Sequence, residues 1–226
     1  MHHYDIIRFL HFPTPIVDIC RDVIKQTWTR AIKNESEYGG SHEFKLHGFP
    51  WGGSGGQTTE ARRTICRLLE ALHGQGWVLM ISTSISKKEM EKDTLLFRHQ
   101  TPAPAPCDWA AIGFSKNDRI RFIDAPPEIA DSLAARLGSH WVKERTLIGP
   151  GVHEFKLDGS PWWANGTKVM EVREMLLTFL EVLESEGWTV YASVDQKDGG
   201  QNYTETDTWH CCRLKSWTQG APVYHG

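Results

Sequence analysis

His42-Glu43-Phe44-Lys45-Leu46, followed by Gly48, Pro50 and Trp51, recurs as His153-Glu154-Phe155-Lys156-Leu157, followed by Gly159, Pro161 and Trp162. The correspondence runs on without a gap. Arg62 meets Arg173, Leu69 meets Leu180, Glu70 meets Glu181 and Leu72 meets Leu183. Gly76-Trp77 then meets Gly187-Trp188, and Ser82 meets Ser193, all at one offset. Upstream, Ile7-Arg8-Phe9, Pro13, Ile16, Asp18 and Trp28 pair with Ile120-Arg121-Phe122, Pro126, Ile129, Asp131 and Trp141. Downstream, Asp93-Thr94 and Arg98 correspond to Asp207-Thr208 and Arg213, after a polar insertion in the second copy at about 196–205. Chance does not hold so many matches at equal spacing, so the chain is an internal duplication. Two copies are too few for a solenoid, which needs at least about three. A pseudo-twofold pair of units is expected, at 4–100 and 115–214, with 101–114 as a Pro/Ala connector plus a strand and 215–226 as a C-terminal tail. The sheets of the two units are expected to join edge to edge or to pack face to face.

The repeated stretch alternates with period two. His42, Phe44 and Leu46 face one way, Glu43 and Lys45 the other, as in a strand with one buried face. The best helical stripes follow: Ile65, Leu68, Leu69 and Leu72 in the first copy, and Val172, Leu176, Phe179, Leu180 and Leu183 in the second. Gly74, Gly76 and Gly187 stop these helices. Short strands are expected at 6–10 and 119–123, each followed by a proline that opens a helix at Pro13 or Pro126. Trp77 to Ile85, Trp188 to Val194, Thr94 to His99 and Thr208 to Arg213 read as β-rich. Trp109 to Ser115 reads as one more strand, in a hairpin with the strand from Arg119. The fold class is α+β: two repeats of β-α-β-α-β-β, with antiparallel sheet backed by helices.

Composition narrows the function classes. The 226 residues carry 25 Lys plus Arg against 28 Asp plus Glu, for a net charge of -3. Phosphate contacts supply most of a nucleic-acid binder's affinity, so this balance disfavours nucleic acid as a partner. The strongest basic cluster, Ser86-Lys87-Lys88, is followed at once by acidic residues. The five cysteines, Cys20, Cys66, Cys107, Cys211 and Cys212, form no CxxC pair and suit a reducing compartment. The N-terminal stretch lacks the apolar run of a signal peptide, and no stretch reaches the ~18 apolar residues of a membrane span. The cytoplasm is the expected location, with the nucleus open, and no membrane is expected as a partner. Ten tryptophans make the chain tryptophan-rich, which favours binding without naming a ligand.

From His42 onward the order becomes one strand, a helix, four strands and a helix. That order resembles the TATA-binding-protein-like saddle, itself an internal duplication, though no motif residue is shared. The pattern HEFKL-x-G-x-PW … GW … TDTW … GAPVYH resembles an uncharacterised family of intracellular eukaryotic, fungal proteins. The resemblance covers nearly the whole chain and implies no activity, cofactor or site residue.

The candidate sites each have a plainer reading. Trp51 to Gly56 is glycine-rich and precedes a helix, but it lacks Gly-Lys-Ser/Thr and reads as a surface loop. His42 and His153 could serve as metal ligands or as acid and base. No further ligand sits at metal spacing, so satisfied strand-end histidines are favoured. Asp207 to Cys212 is the densest reactive stretch, and His210 and Cys212 share a strand face. A nucleophilic pair there is the weaker reading, because the first copy has no counterpart. Trp51, Trp162 and Trp163 follow a turn proline and could stack on a ligand or cap the sheet. Glu43, Lys45 and Arg62, with Glu154, Lys156 and Arg173, are charges kept through the duplication. They suggest an ion-pair network or a shared ligand face, with Arg62 expected to pair with Glu43.

The expectation is therefore a non-enzymatic binding or scaffold module, using a face or groove where the duplicated units meet. Trp51, Trp162, Trp163 and the paired charges would line it, and a protein or small ligand would occupy it. Two alternatives stand beside this: an enzyme with an inter-repeat His/Cys site, and a lectin-like carbohydrate binder. No cofactor and no metal site are expected.

Overall fold

Each repeat builds one strand more than its hydrophobic pattern reveals. The computed structural model describes residues 1, 3–52, 56–84, 93–195 and 206–223. The first repeat contains β1 (Ile6–Leu10), α1 (Thr14–Thr27), β2 (Ile32–Tyr38), β3 (Ser41–Leu46), α2 (Gly56–Gly74), β4 (Trp77–Thr83) and β5 (Thr94–His99). The second contains β6 (Cys107–Ser115), β7 (Arg119–Ile123), α3 (Pro127–Trp141), β8 (Val142–Gly149) and β9 (Val152–Leu157). A short 3-10 turn (Pro161–Trp163), α4 (Lys168–Ser185), β10 (Thr189–Val194) and β11 (Thr208–Leu214) complete it. The order from β3 to α3 is the one read from the sequence. The additions are β2 and β8, whose sequences IKNESEY and VKERTLIG are almost wholly exposed. They are outer strands held by backbone pairing to β3 and β9, so neither carries a buried face.

Contacts divide the chain into two compact units. One comprises Met1–Ala105 with Ala192–Thr208, the other Pro106–Tyr191 with Trp209–Gly226. One segment of the second copy, Ala192–Thr208, thus packs with the first. Inside the first unit Arg62, 1% exposed, donates from Nε to the Thr208 hydroxyl at 3.0 Å. Asp93 accepts from the Asp195 amide at 2.9 Å and donates its own N–H to the Asp195 carbonyl at 3.3 Å. The strand β6, read as part of a connector, belongs to the second unit.

The strands form three sheets. In the first unit β1-β3-β2 is a three-stranded antiparallel sheet, and β4-β5 is a separate antiparallel pair. The third sheet has six strands in the order β10-β11-β6-β7-β9-β8. Registers repeat between the copies: Phe9 lies opposite His42, and Phe122 opposite His153. So do local contacts. Pro13 and Pro126 stand at the N-caps of α1 and α3. Ser82 donates to Asp93, and Ser193 to Asp207, each at 2.8 Å. At Gly76 the backbone adopts φ +82°, and a Cβ there would meet the Gln100 carbonyl at 2.5 Å, so only glycine ends α2 this way.

The second unit's core fills the space between its sheet and its helices. Ala110, Ile112 and Phe114 of β6 pack there with Phe122, Phe155, Phe179 and Leu183. Phe122 stacks on Phe179 with ring centroids 6.0 Å apart. Burying a side chain of this size contributes roughly 2 to 3 kcal/mol. The counterparts in the first unit, Phe9, Phe44, Leu69 and Leu72, are also buried.

Candidate functional site

The repeats differ at one position of the sheet. In the second repeat β6 lies between β11 and β7. The matching strands of the first unit are β5 and β1, by the shared Asp-Thr start and the shared Ile-Arg-Phe run. Among the described residues no strand lies between them, and each ends its own sheet there.

What remains is a groove of about 660 Å³, within the usual ~300–1,000 Å³ of ligand pockets. Its floor is the apolar stripe of α2, including Leu69 and Leu72, and its walls include Phe9, Trp77 and Phe97. Leu10 and Leu96 stand on its rim, 53% and 50% exposed. Among the described residues no acidic side chain lines it.

Backbone geometry fixes what β1 offers to the groove. The Leu46 amide donates to the Asp5 carbonyl, so Asp5 turns its polar groups toward β3. Antiparallel pairing alternates. Ile7 and Phe9 therefore also face β3, and Ile6, Arg8 and Leu10 direct theirs away from it. The Ile6 carbonyl is taken by the Trp51 indole N–H at 2.9 Å.

Several residues expected at a site are structural. Trp51 is fully buried. Trp162 is half-buried; its indole N–H donates to the Arg119 carbonyl at 3.3 Å, and its ring meets Phe114 edge to face. Both rings close the sheet, where stacking on a ligand had been an open reading. Trp163 is 54% exposed.

The paired charges split in the same way. Glu43 accepts from Arg8, not from Arg62, at 2.7 Å, and Glu154 accepts from Arg121 at 2.7 Å. The expected Arg62–Glu43 pair is overturned because Arg62 turns instead to Thr208, as described above. Its counterpart Arg173 is exposed and reaches Met170 Sδ at 3.6 Å. Lys45 lies 3.7 Å from Asp5, and Lys156 is half-buried on β9.

The titratable candidates are held apart or sealed. His42 sits between Glu37 (3.1 Å) and Glu35 (3.3 Å), with its ring 4.7 Å from Phe44. These contacts are those of a satisfied strand histidine. His153 on β9 and His210 on β11 are three strands apart in the sheet, about 14 Å. His210 is fully buried and Cys212 nearly so. Burial pushes the neighbouring Cys211 thiol up to about 12, against the lowered value an activated nucleophile needs. Among the described residues no group of three His, Cys, Asp or Glu could hold a metal ion. Gly53 to Gly55 of the glycine-rich loop, the Ser86-Lys87-Lys88 cluster and the polar insertion lie outside the described residues.

The fold thus defines a duplicated α+β protein, and among the described residues no strand lies between β1 and β5. The chain belongs to an uncharacterised domain family, whose model matches it in two parts, residues 1–98 and 108–212. No curated protein and no solved structure matches it. The saddle-like element order therefore carries no functional argument.

Proposed function

We propose that the chain is a non-enzymatic binding module and that it binds through the apolar groove of the first unit. The observation that carries this reading is the pair of large apolar side chains, Leu10 and Leu96, half-exposed on the rim of a groove floored by leucines. Exposed apolar side chains clustered beside a groove favour an interaction site. A protein or a small apolar ligand suits it better than nucleic acid, because Arg8 is the only cationic side chain among the described residues of the lining. No described helix is long and apolar enough to cross a membrane. The five free, buried cysteines suit a reducing, intracellular setting.

The test compares the full chain with a Leu10→Asp/Leu96→Asp variant as immobilised bait in a cell extract. Both side chains reach water, so far-UV circular dichroism should be unchanged. The expected result is a captured component lost from the variant. Identical capture by both would contradict binding through the groove.

A further inference from the structure

Equivalent faces of the two copies meet different surroundings. Beside its core stripe, α2 carries a second one, Thr59, Arg62, Cys66 and His73, and all four residues are buried. Their spacing of three, four and seven positions puts them on one side of the helix. The matching residues of α4 are Met170, Arg173, Leu177 and Glu184. All four are exposed, with Met170 and Leu177 at 60% and 61%. The α4 stripe is thus open where the α2 stripe is covered.

One part of the α2 cover is the start of β11. Inside the first unit Arg62 donates from Nε to the hydroxyl of Thr208, the first residue of that strand, at 3.0 Å. Alternate strand residues share a face, so Thr208 shares one with His210 and Cys212, and all three are buried. Counted without a gap from the shared Asp-Thr start, their counterparts on β5 are Thr94, Leu96 and Arg98, so that Arg98 matches Cys212 and not Arg213. Thr94 is half-buried, whereas Leu96 and Arg98 are exposed. Ile81 of β4 lies directly opposite Leu96 and is also exposed.

The duplication therefore supplies each half of this contact twice, and one of each is left open: the α4 stripe and the β4–β5 face. The open halves match in length and charge. With Arg173 on Thr94, as Arg62 is on Thr208, Leu177 and Leu96 each lie about 6 Å further along their elements. Arg98 lies about 13 Å along β5 and Glu184 about 16 Å along α4, within reach of two long side chains. Neither Arg98 nor Arg173 has an acidic partner among the described residues.

We propose that two copies of the chain associate head to tail, the α4 stripe of one on the β4–β5 face of the next. Arg173 donates to the Thr94 hydroxyl, Leu177 packs on Leu96 and Ile81, and Arg98 pairs with Glu184. A second copy is the occupant because each chain carries both open halves. The halves are unlike, so the contact is heterologous: each assembly keeps one free face at either end, and growth continues unless a ring closes.

Sedimentation velocity of the full chain between about 1 and 100 μM tests this. The mass should pass that of two chains as concentration rises, one chain being 25.7 kDa. Met170→Asp/Leu177→Asp and Ile81→Asp/Arg98→Glu should each sediment as a single chain. Their far-UV circular dichroism should be unchanged, because all four side chains reach water. An equimolar mixture of the two variants should form a dimer of one chain of each and stop there, since each keeps the half that the other has lost. Arg98→Glu alone should weaken association about fivefold, and adding Glu184→Arg to the same chain should restore it. Leu10 and Leu96 are intact in every variant, so failure here leaves binding in the groove standing.

A wild-type chain that stays single throughout would overturn the proposal. So would association that survives in both double variants, or a mixture that fails to pair. A dimer lost from only one of the two variants would mark a symmetric interface between like faces and overturn the head-to-tail contact.

Discussion

Replacing Trp51 by phenylalanine separates a structural tryptophan from a ligand-stacking one. Trp51 is fully buried, and its N–H is bound to the Ile6 carbonyl at 2.9 Å. Phenylalanine keeps most of the ring contact but leaves that carbonyl without its donor in a dry setting, a cost of about 1 to 3 kcal/mol. The smaller ring adds about 1 kcal/mol of lost packing. The expected loss is therefore about 2 to 4 kcal/mol. The matching change at Trp162 removes a longer bond, 3.3 Å, from a half-buried ring and should cost about 1 kcal/mol. Urea unfolding followed by far-UV circular dichroism reads the sum, and hydrogen exchange in α2 and α4 assigns each loss to its unit. Equal losses, or a stable Trp51→Phe chain that has lost only binding, would refute the reasoning.

Glu154→Gln strands the buried Arg121 guanidinium and should cost about 2 to 3 kcal/mol in urea unfolding; Glu43→Gln, whose partner Arg8 reaches water, should cost about 1 kcal/mol. Burial lowers the His73 pKa, so below its ordinary value near 6.5 the unfolded chain binds the extra proton. The stability contribution is complete above that pH and falls as pH drops through it; His73→Gln should flatten the fall in urea midpoint between about pH 7.5 and 5.5. Burial pushes the Cys20 and Cys211 thiols up to about 12. At pH 8 about one molecule in ten thousand carries either thiolate, so both should resist a thiol reagent until urea unfolds the chain.

The sequence declares some of this architecture and hides the rest for identifiable reasons. The duplication is plain because the core positions Phe44 and Phe155, Leu69 and Leu180, Trp77 and Trp188 do the same work in each copy. The outer strands β2 and β8 are silent because neither buries a face, and pairing with β3 and β9 leaves no mark on hydrophobic pattern. Trp51 and Trp162 look like ligand platforms because a turn proline precedes them, and only the Ile6 and Arg119 carbonyls show their role. The Arg62–Glu43 pair fails because matching positions of the two copies play unlike parts: Arg62 is buried against a segment contributed by the second copy, while Arg173 is exposed. The groove left no mark in the sequence, because its lining residues on β1, α2 and β5 read as ordinary core positions.

Amide hydrogen exchange of the unliganded chain, read at four equivalent positions, tests the open groove most directly. Arg8 and Leu10 should exchange as the open edge of a sheet, at least about a hundredfold faster than Arg121 and Ile123, which β6 covers. Equal protection of the two pairs would mean that β1 is already covered and that no open groove lies beside it.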